Sequence, residues 1–108
     1  MSISESEFHT AAERALDAIE SSVEACDADI DSMRAGNVLT LELADGSKVV
    51  VNSQAPMRQI WVAARGGGFH YEWRAGAWRD TRDGSELFAA LSRVISAQGG
   101  VAVLLRGG

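Results

Sequence analysis

Nine carboxylates stand in the first 31 residues against one basic side chain, Arg14. They are Glu5, Glu7, Glu13, Asp17, Glu20, Glu24, Asp27, Asp29 and Asp31. The whole chain carries only −5, so the remainder is net basic and the acid is concentrated in one segment. Glu13, Asp17, Glu20, Glu24 and Asp27 recur at steps of four and three, which places them on one flank of a helix. Glu5 and His9 extend that row upstream at steps of four. Like charges at these steps repel by about 0.2–0.5 kcal/mol per pair, a cost that a solvated face ordinarily avoids by mixing signs. Asp27-Ala28-Asp29-Ile30-Asp31 continues the acid at a step of two, which in an extended chain points three carboxylates the same way. Oxygen donors in this number suit hard cations such as Fe2+, Mn2+, Mg2+ or Ca2+. A field of one sign also steers a basic protein surface. Ligands this exposed hold ions weakly, at overlapping positions, with water retained. His9, one turn from both Glu5 and Glu13, is a candidate additional ligand.

A second group lies in the stretch Asn52-Ser53-Gln54-Ala55-Pro56-Met57-Arg58-Gln59-Ile60-Trp61. A strand over 59–64 puts Ile60 and Val62 on one face and Gln59, Trp61 and Ala63 on the other. The aliphatic pair belongs with the core, which leaves Trp61 on an open sheet face beside Gln59 and near Asn52. An exposed Trp flanked by amides is a typical interface anchor. Thr40, Glu42, His70 and Glu72 have the alternation to share that face. His70 has no His or Cys close in sequence, so no zinc site is expected. Cys26 falls on the apolar seam of the helix and reads as a small core residue.

Catalytic signatures are missing from the sequence. It has no phosphate loop, no nucleophile elbow, no cysteine pair and no Glu-x-x-His. The triplet Gly66-Gly67-Gly68 lacks the strand–glycine–helix order of a phosphate cradle. The expectation is a protein that is not an enzyme.

At 108 residues the chain is expected to be a single domain spanning 1–108. The acidic balance argues against nucleic acid and anionic membranes as partners. No apolar run of transmembrane length occurs. The first residues, MSISESEFHT, lack the basic and apolar regions of a signal peptide. A lone cysteine excludes an internal disulfide and fits a reducing compartment, so a cytoplasmic protein is expected.

The elements that would position these residues follow from periodicity. Over 5–26, Phe8, Ala12, Ala15, Ile19, Val23 and Cys26 recur at helical steps with Leu16 beside them, about 100° from the acid row. Ser4 or Ser6 can cap this helix, and Ser4 has Glu7 at capping-box spacing. Period two then takes over. VLTLEL at 38–43 aligns Leu39, Leu41 and Leu43; Asp45-Gly46 is a hairpin turn; 48–52 returns; Pro56 breaks the pairing. Strands follow at 59–64, 69–74 and around Trp78, with 66–68 as a flexible connection and Ala75-Gly76 as a turn. A further edge strand is predicted over 29–34. Phe69, Tyr71, Trp73 and Trp78 are assigned to the core. The helical period returns after Asp83-Gly84-Ser85, with Ser85 or Asp83 as N-cap and Leu87, Phe88, Leu91, Val94 and Ile95 as the apolar face. Gly99-Gly100 ends it. The apolar tail 101–105 is expected to pack back on the domain. The order helix–strands–helix predicts an α+β two-layer sandwich, one antiparallel sheet with the N- and C-terminal helices on one face.

With these elements placed, the chain resembles the frataxin family, in its bacterial branch, over nearly its whole length. The residues that carry the resemblance are Ser6-Glu7-Phe8-His9, the acidic helix with Asp29-Ile30-Asp31, Val38-Leu39-Thr40 and Asp45-Gly46-Ser47-Lys48. The run Asn52-x-Gln54-x-Pro56-x-x-Gln59-Ile60-Trp61 is the most specific part, joined by Gly67-Gly68-Phe69-His70-Tyr71 and Trp78-Arg79-Asp80-x-Arg82-Asp83-Gly84. Ser21 and Ala25 depart from it, standing where relatives often carry acids. The resemblance implies an iron-binding protein of iron–sulfur cluster assembly, a regulator of the cysteine desulfurase and an iron donor. It implies Fe2+ and Fe3+ on the acidic ridge, and contact between the same ridge, Glu20 and Glu24 included, and a basic patch on the desulfurase. Asn52, Gln59, Trp61 and His70 would face the assembly of desulfurase and scaffold protein. A monomer at rest is expected, with iron-dependent oligomerisation left open. The alternative reading is an acidic interaction module that binds a basic partner, with metal incidental.

Overall fold

The computed structural model describes residues 3–26, 29–99 and 105. The acidic segment forms helix α1, Glu5–Ala25, with Cys26 as its C-cap. Ser4 is the N-cap: its Oγ accepts from the Glu7 backbone N–H, and the Glu7 carboxylate accepts from the Ser4 N–H. This reciprocal box satisfies two of the amides that a helix start leaves without partners. Phe8, Ala12, Ala15, Leu16, Ile19 and Val23 are buried, one apolar stripe as the spacing predicts.

Six strands follow: β1 Asp31–Ala35, β2 Val38–Glu42, β3 Lys48–Gln54, β4 Gln59–Ala64, β5 Gly67–Arg74 and β6 Ala77–Asp80. They pair in chain order, every neighbour antiparallel. A 3-10 turn, Ala55–Met57, interrupts between β3 and β4, where Pro56 cannot donate to a ladder. Gly67 and Gly68 are not a loose connection. They pair with Ala64 and Ala63 as the start of β5, so the turn lies at Arg65-Gly66. Ala75 and Gly76 both take positive φ, 52° and 80°, the two-residue turn whose twist matches a hairpin.

Helix α2, Leu87–Gly99, closes the described order. Its N-terminal amides are satisfied by Glu86, not by Ser85 or Asp83: the Glu86 carboxylate accepts from the N–H groups of Phe88 and Ala89. Asp83 instead turns the preceding loop, accepting from the Ser85 N–H, which holds its carboxyl below the usual range.

The core face of the sheet is Leu39, Leu41, Val49, Val51, Ile60, Val62, Tyr71 and Trp78, all buried. Their alternate neighbours are half-buried or exposed, so both helices cover the same face. Phe8 of α1 meets Trp78 edge-on at 5.9 Å, and Trp78 meets Trp73 at 5.3 Å. Trp73 and Phe69 are only half-buried, packed at the margin of the core rather than inside it. Burial pushes the Tyr71 hydroxyl up to about 12, with Asp80 adding to the rise. Of the tail, Leu105 is described: it is buried, and its N–H donates to the Ser92 Oγ of α2 at 2.8 Å. The other tail residues, 101–104, lie outside the described residues.

Candidate functional site

The acid row of α1 faces solvent on the flank beside β1. Glu5, His9, Glu13, Asp17 and Glu24 are exposed, and Glu20 is half-buried. His9 Nε2 lies 3.9 Å from the Glu5 carboxylate, one helical turn away. Asp27 lies outside the described residues, and Asp29 is exposed ahead of β1. Glu7 does not belong to the row. At roughly 100° per residue it sits about a third of a turn further round the helix, where the Ser4 box occupies its carboxylate and lowers its pKa. Asp31 also lies away from the helix row. Ser32 and Arg34 are the half-buried residues of β1, so Asp31 and Met33 take the opposite, open side of the sheet. There Asp31 stands opposite Glu42, and Glu42 opposite Lys48.

Arg14 is not the base that matters to the row; Arg34 is. Its Nη2 donates to Glu13 at 2.8 Å and its Nη1 to Asp17 at 3.0 Å, with Glu20 at 3.8 Å. Its Nε donates to the Gly36 carbonyl at 2.9 Å, which fixes the fork. The arginine side chain is 17% exposed beneath carboxylates that are 60% and 68% exposed at Glu13 and Asp17. Helical spacing cannot reveal a partner from the neighbouring strand. The only signal in the sequence is parity: once 29–34 is an edge strand beside α1, Arg34 must share a face with Ser32. Among the described residues, no three His, Cys, Asp or Glu side chains converge to hold a metal ion. The oxygen donors fit a hard cation in chemistry, but they form an open row and not a closed cage.

The second surface lies on the sheet's open face. Register places Asn52 opposite Trp61 and Trp61 opposite His70. The Trp61 and His70 rings stack at 4.5 Å and 15°. The Trp61 indole N–H donates to Gln59 Oε1 at 2.8 Å, so the ring is held from two sides and remains half-buried. Beside it runs a row in which Met33 and Val50 join Thr40 and Ala63, the two read from the sequence onto this face: Met33 opposite Thr40, Thr40 opposite Val50, Val50 opposite Ala63. Met33 is 71% exposed. The open face therefore joins an apolar row to the Trp61 group, a combination suited to a protein partner.

A family model described as the frataxin-like domain matches residues 1–101. The chain belongs to the frataxin family. Among its relatives, a protein of Cupriavidus metallidurans named iron–sulfur cluster assembly protein CyaY is 53% identical over 96% of this chain and 97% of the relative. One of the same name from a Janthinobacterium strain is 52% identical over equal shares. In solved structures, frataxin from Psychromonas ingrahamii, of the CyaY family, superposes with a TM-score of 0.87 at 36% identity, covering 94% of this chain and 96% of that one. Trimeric frataxin of Saccharomyces cerevisiae, complexed with ferrous iron, gives a TM-score of 0.66 at 25% identity, with 93% and 89% covered. The helix–six strands–helix order of this frataxin is thus the fold of its family. Among its described residues no helix is long and apolar enough to cross a membrane.

Proposed function

We propose that this frataxin is an iron-binding component of iron–sulfur cluster assembly that tunes the cysteine desulfurase and can pass iron on, without catalysing a reaction itself. The observation that carries the reading is the exposed carboxylate row on one flank of α1, in a chain whose relatives at about half identity are named for cluster assembly. The ferrous complex of the yeast frataxin supports iron as the ion. Glu5, His9, Glu13, Asp17, Glu20, Glu24, Asp27, Asp29 and Asp31 are the proposed ion contacts, used in overlapping subsets and with low affinity. Glu7 is the weakest candidate, because its carboxylate is committed to the helix cap.

Glu20 and Glu24 would meet a basic patch on the desulfurase, and complementary charge would raise the rate of encounter. Asn52, Gln59, Trp61 and His70 would form the second contact, toward the desulfurase–scaffold assembly. A cytoplasmic, resting monomer fits this role, and the trimeric yeast relative supports association of copies as a further state. Amide chemical-shift mapping with Fe2+ under anaerobic conditions tests the iron role. Shifts confined to residues 5–31 and the adjoining β1 are expected. Shifts centred elsewhere, or none, would remove iron from the reading and leave a docking module alone.

A further inference from the structure

The acidic row is not uniformly open, because its middle is already occupied. Arg34 reaches from β1 into the stretch Glu13, Asp17 and Glu20 and contacts the first two carboxylates directly. A backbone carbonyl anchors its Nε, and its side chain is mostly buried, so the group is held in place rather than loosely paired. A fork of planar donors matches carboxylate oxygens that a cation would otherwise use. An ion entering here must take two carboxylates from the guanidinium and then sit against a fixed like charge. Among the described residues, Glu24 and Asp29 have no ion pair with a base. The two parts of the row therefore differ in kind.

We propose that Arg34 is an internal counter-ion that excludes divalent cations from Glu13, Asp17 and Glu20, and so determines which carboxylates of the row take metal. This rests on the cation-binding role above and specifies how it is distributed. Arg34 is a positioning residue: it touches the carboxylates and not the ion. Its effect is to shorten the effective ridge and to lower the number of ions held. A cation that does reach the middle takes Glu13 and Asp17 from the guanidinium.

The test is a titration of the full chain with Ca2+ as a diamagnetic probe, read on side-chain carboxyl carbons and on the Arg34 Nε–H signal. Native protein, Arg34→Gln and Arg34→Lys are compared, with amide spectra of β3 to β6 verifying the fold. In native protein the carboxyl signals of Glu13, Asp17 and Glu20 should move late, together with Arg34 Nε–H, after other carboxyls of the row. In Arg34→Gln they should move early, with a several-fold gain in affinity at those residues. Arg34→Lys keeps the charge without the fork and should fall between. If Glu13 and Asp17 move first in native protein, or the order is the same in native protein and Arg34→Gln, the inference is wrong while the cation role stands. If no carboxyl moves in any of the proteins, the cation role itself falls and the inference with it.

Discussion

Glu5 and Glu7 show how two residues of separation change the work of a carboxylate. Glu5 belongs to the solvent row, next to His9, whereas Glu7 closes the capping box with Ser4. Ser4→Ala should therefore cost about 1 kcal/mol of stability and lower the melting temperature by about 4–8 °C, while Fe2+ titration curves stay unchanged. A shift in ion binding of similar size would show that the cap and the row are coupled. Trp61 carries the opposite expectation. It is half-buried, stacked on His70 and bonded to Gln59, yet it lies outside the core. Trp61→Ala should weaken binding to the desulfurase–scaffold assembly by tenfold or more, as expected of an aromatic anchor, with only a small change in melting temperature. Unchanged binding by calorimetry would take the open face out of the interface.

At the scale of elements, two hairpin turns and the last helix are tied by one cluster. Gln98 of α2 donates to Ser47 Oγ at 2.9 Å and accepts from the Arg65 N–H at 3.0 Å, linking the β2–β3 turn to the β4–β5 turn. Asp45 accepts from the Ser47 hydroxyl and N–H and pairs with Arg65 at 3.0 Å. These bonds, the Ser47 hydroxyl foremost, lower its pKa from 3.8 to about 2. A depressed carboxylate stabilises the folded state above its unfolded pKa and loses that contribution as pH falls through the folded value. Native protein should thus melt higher than Asp45→Asn at neutral pH, and the gap should close between pH 3.8 and about 2. A gap that persists at the acid end would mean that the carboxylate's charge is not what holds the turn. Much of this framework was legible from period alone: the stripe of α1, Leu39–Leu41–Leu43, and strand 59–64 with Trp61 outward. Glycines at 66–68 read as a connection because propensity marks a turn, while cross-strand register, set by β4, makes 67 and 68 strand. The cap of α2 was missed because Glu86 bonds its amides from outside the usual short-side-chain cap types. Arg34 was missed because it reaches the helix across 17 residues of sequence from Asp17, a contact that no local pattern encodes.

For the molecule as a whole, the question is how an α1 that carries so much like charge remains stable. The pairs Glu13/Asp17, Asp17/Glu20 and Glu20/Glu24 each cost about 0.2–0.5 kcal/mol on an isolated helix, about 1 kcal/mol together. Arg34 touches both residues of the first pair and approaches Glu20, so the fold offsets part of this cost by placing an edge strand against the acid flank. Salt acts on both effects at once. It screens the repulsion among carboxylates and also the attraction to Arg34, so native protein should gain only modestly in melting temperature as ionic strength rises. Removing the guanidinium leaves repulsion alone. Arg34→Gln should melt lower than native protein at low ionic strength, by a few degrees on the scale of about 4–8 °C per kcal/mol. The difference should narrow steadily as salt is added. Divalent cations should narrow it faster than the same ionic strength of monovalent salt, because bound ions stabilise the folded state by mass action as well as by screening. Parallel melting curves for the two proteins across the salt series would mean that the exposed pairs around Arg34 contribute nothing net, and that the acid flank is tolerated because solvent already screens it.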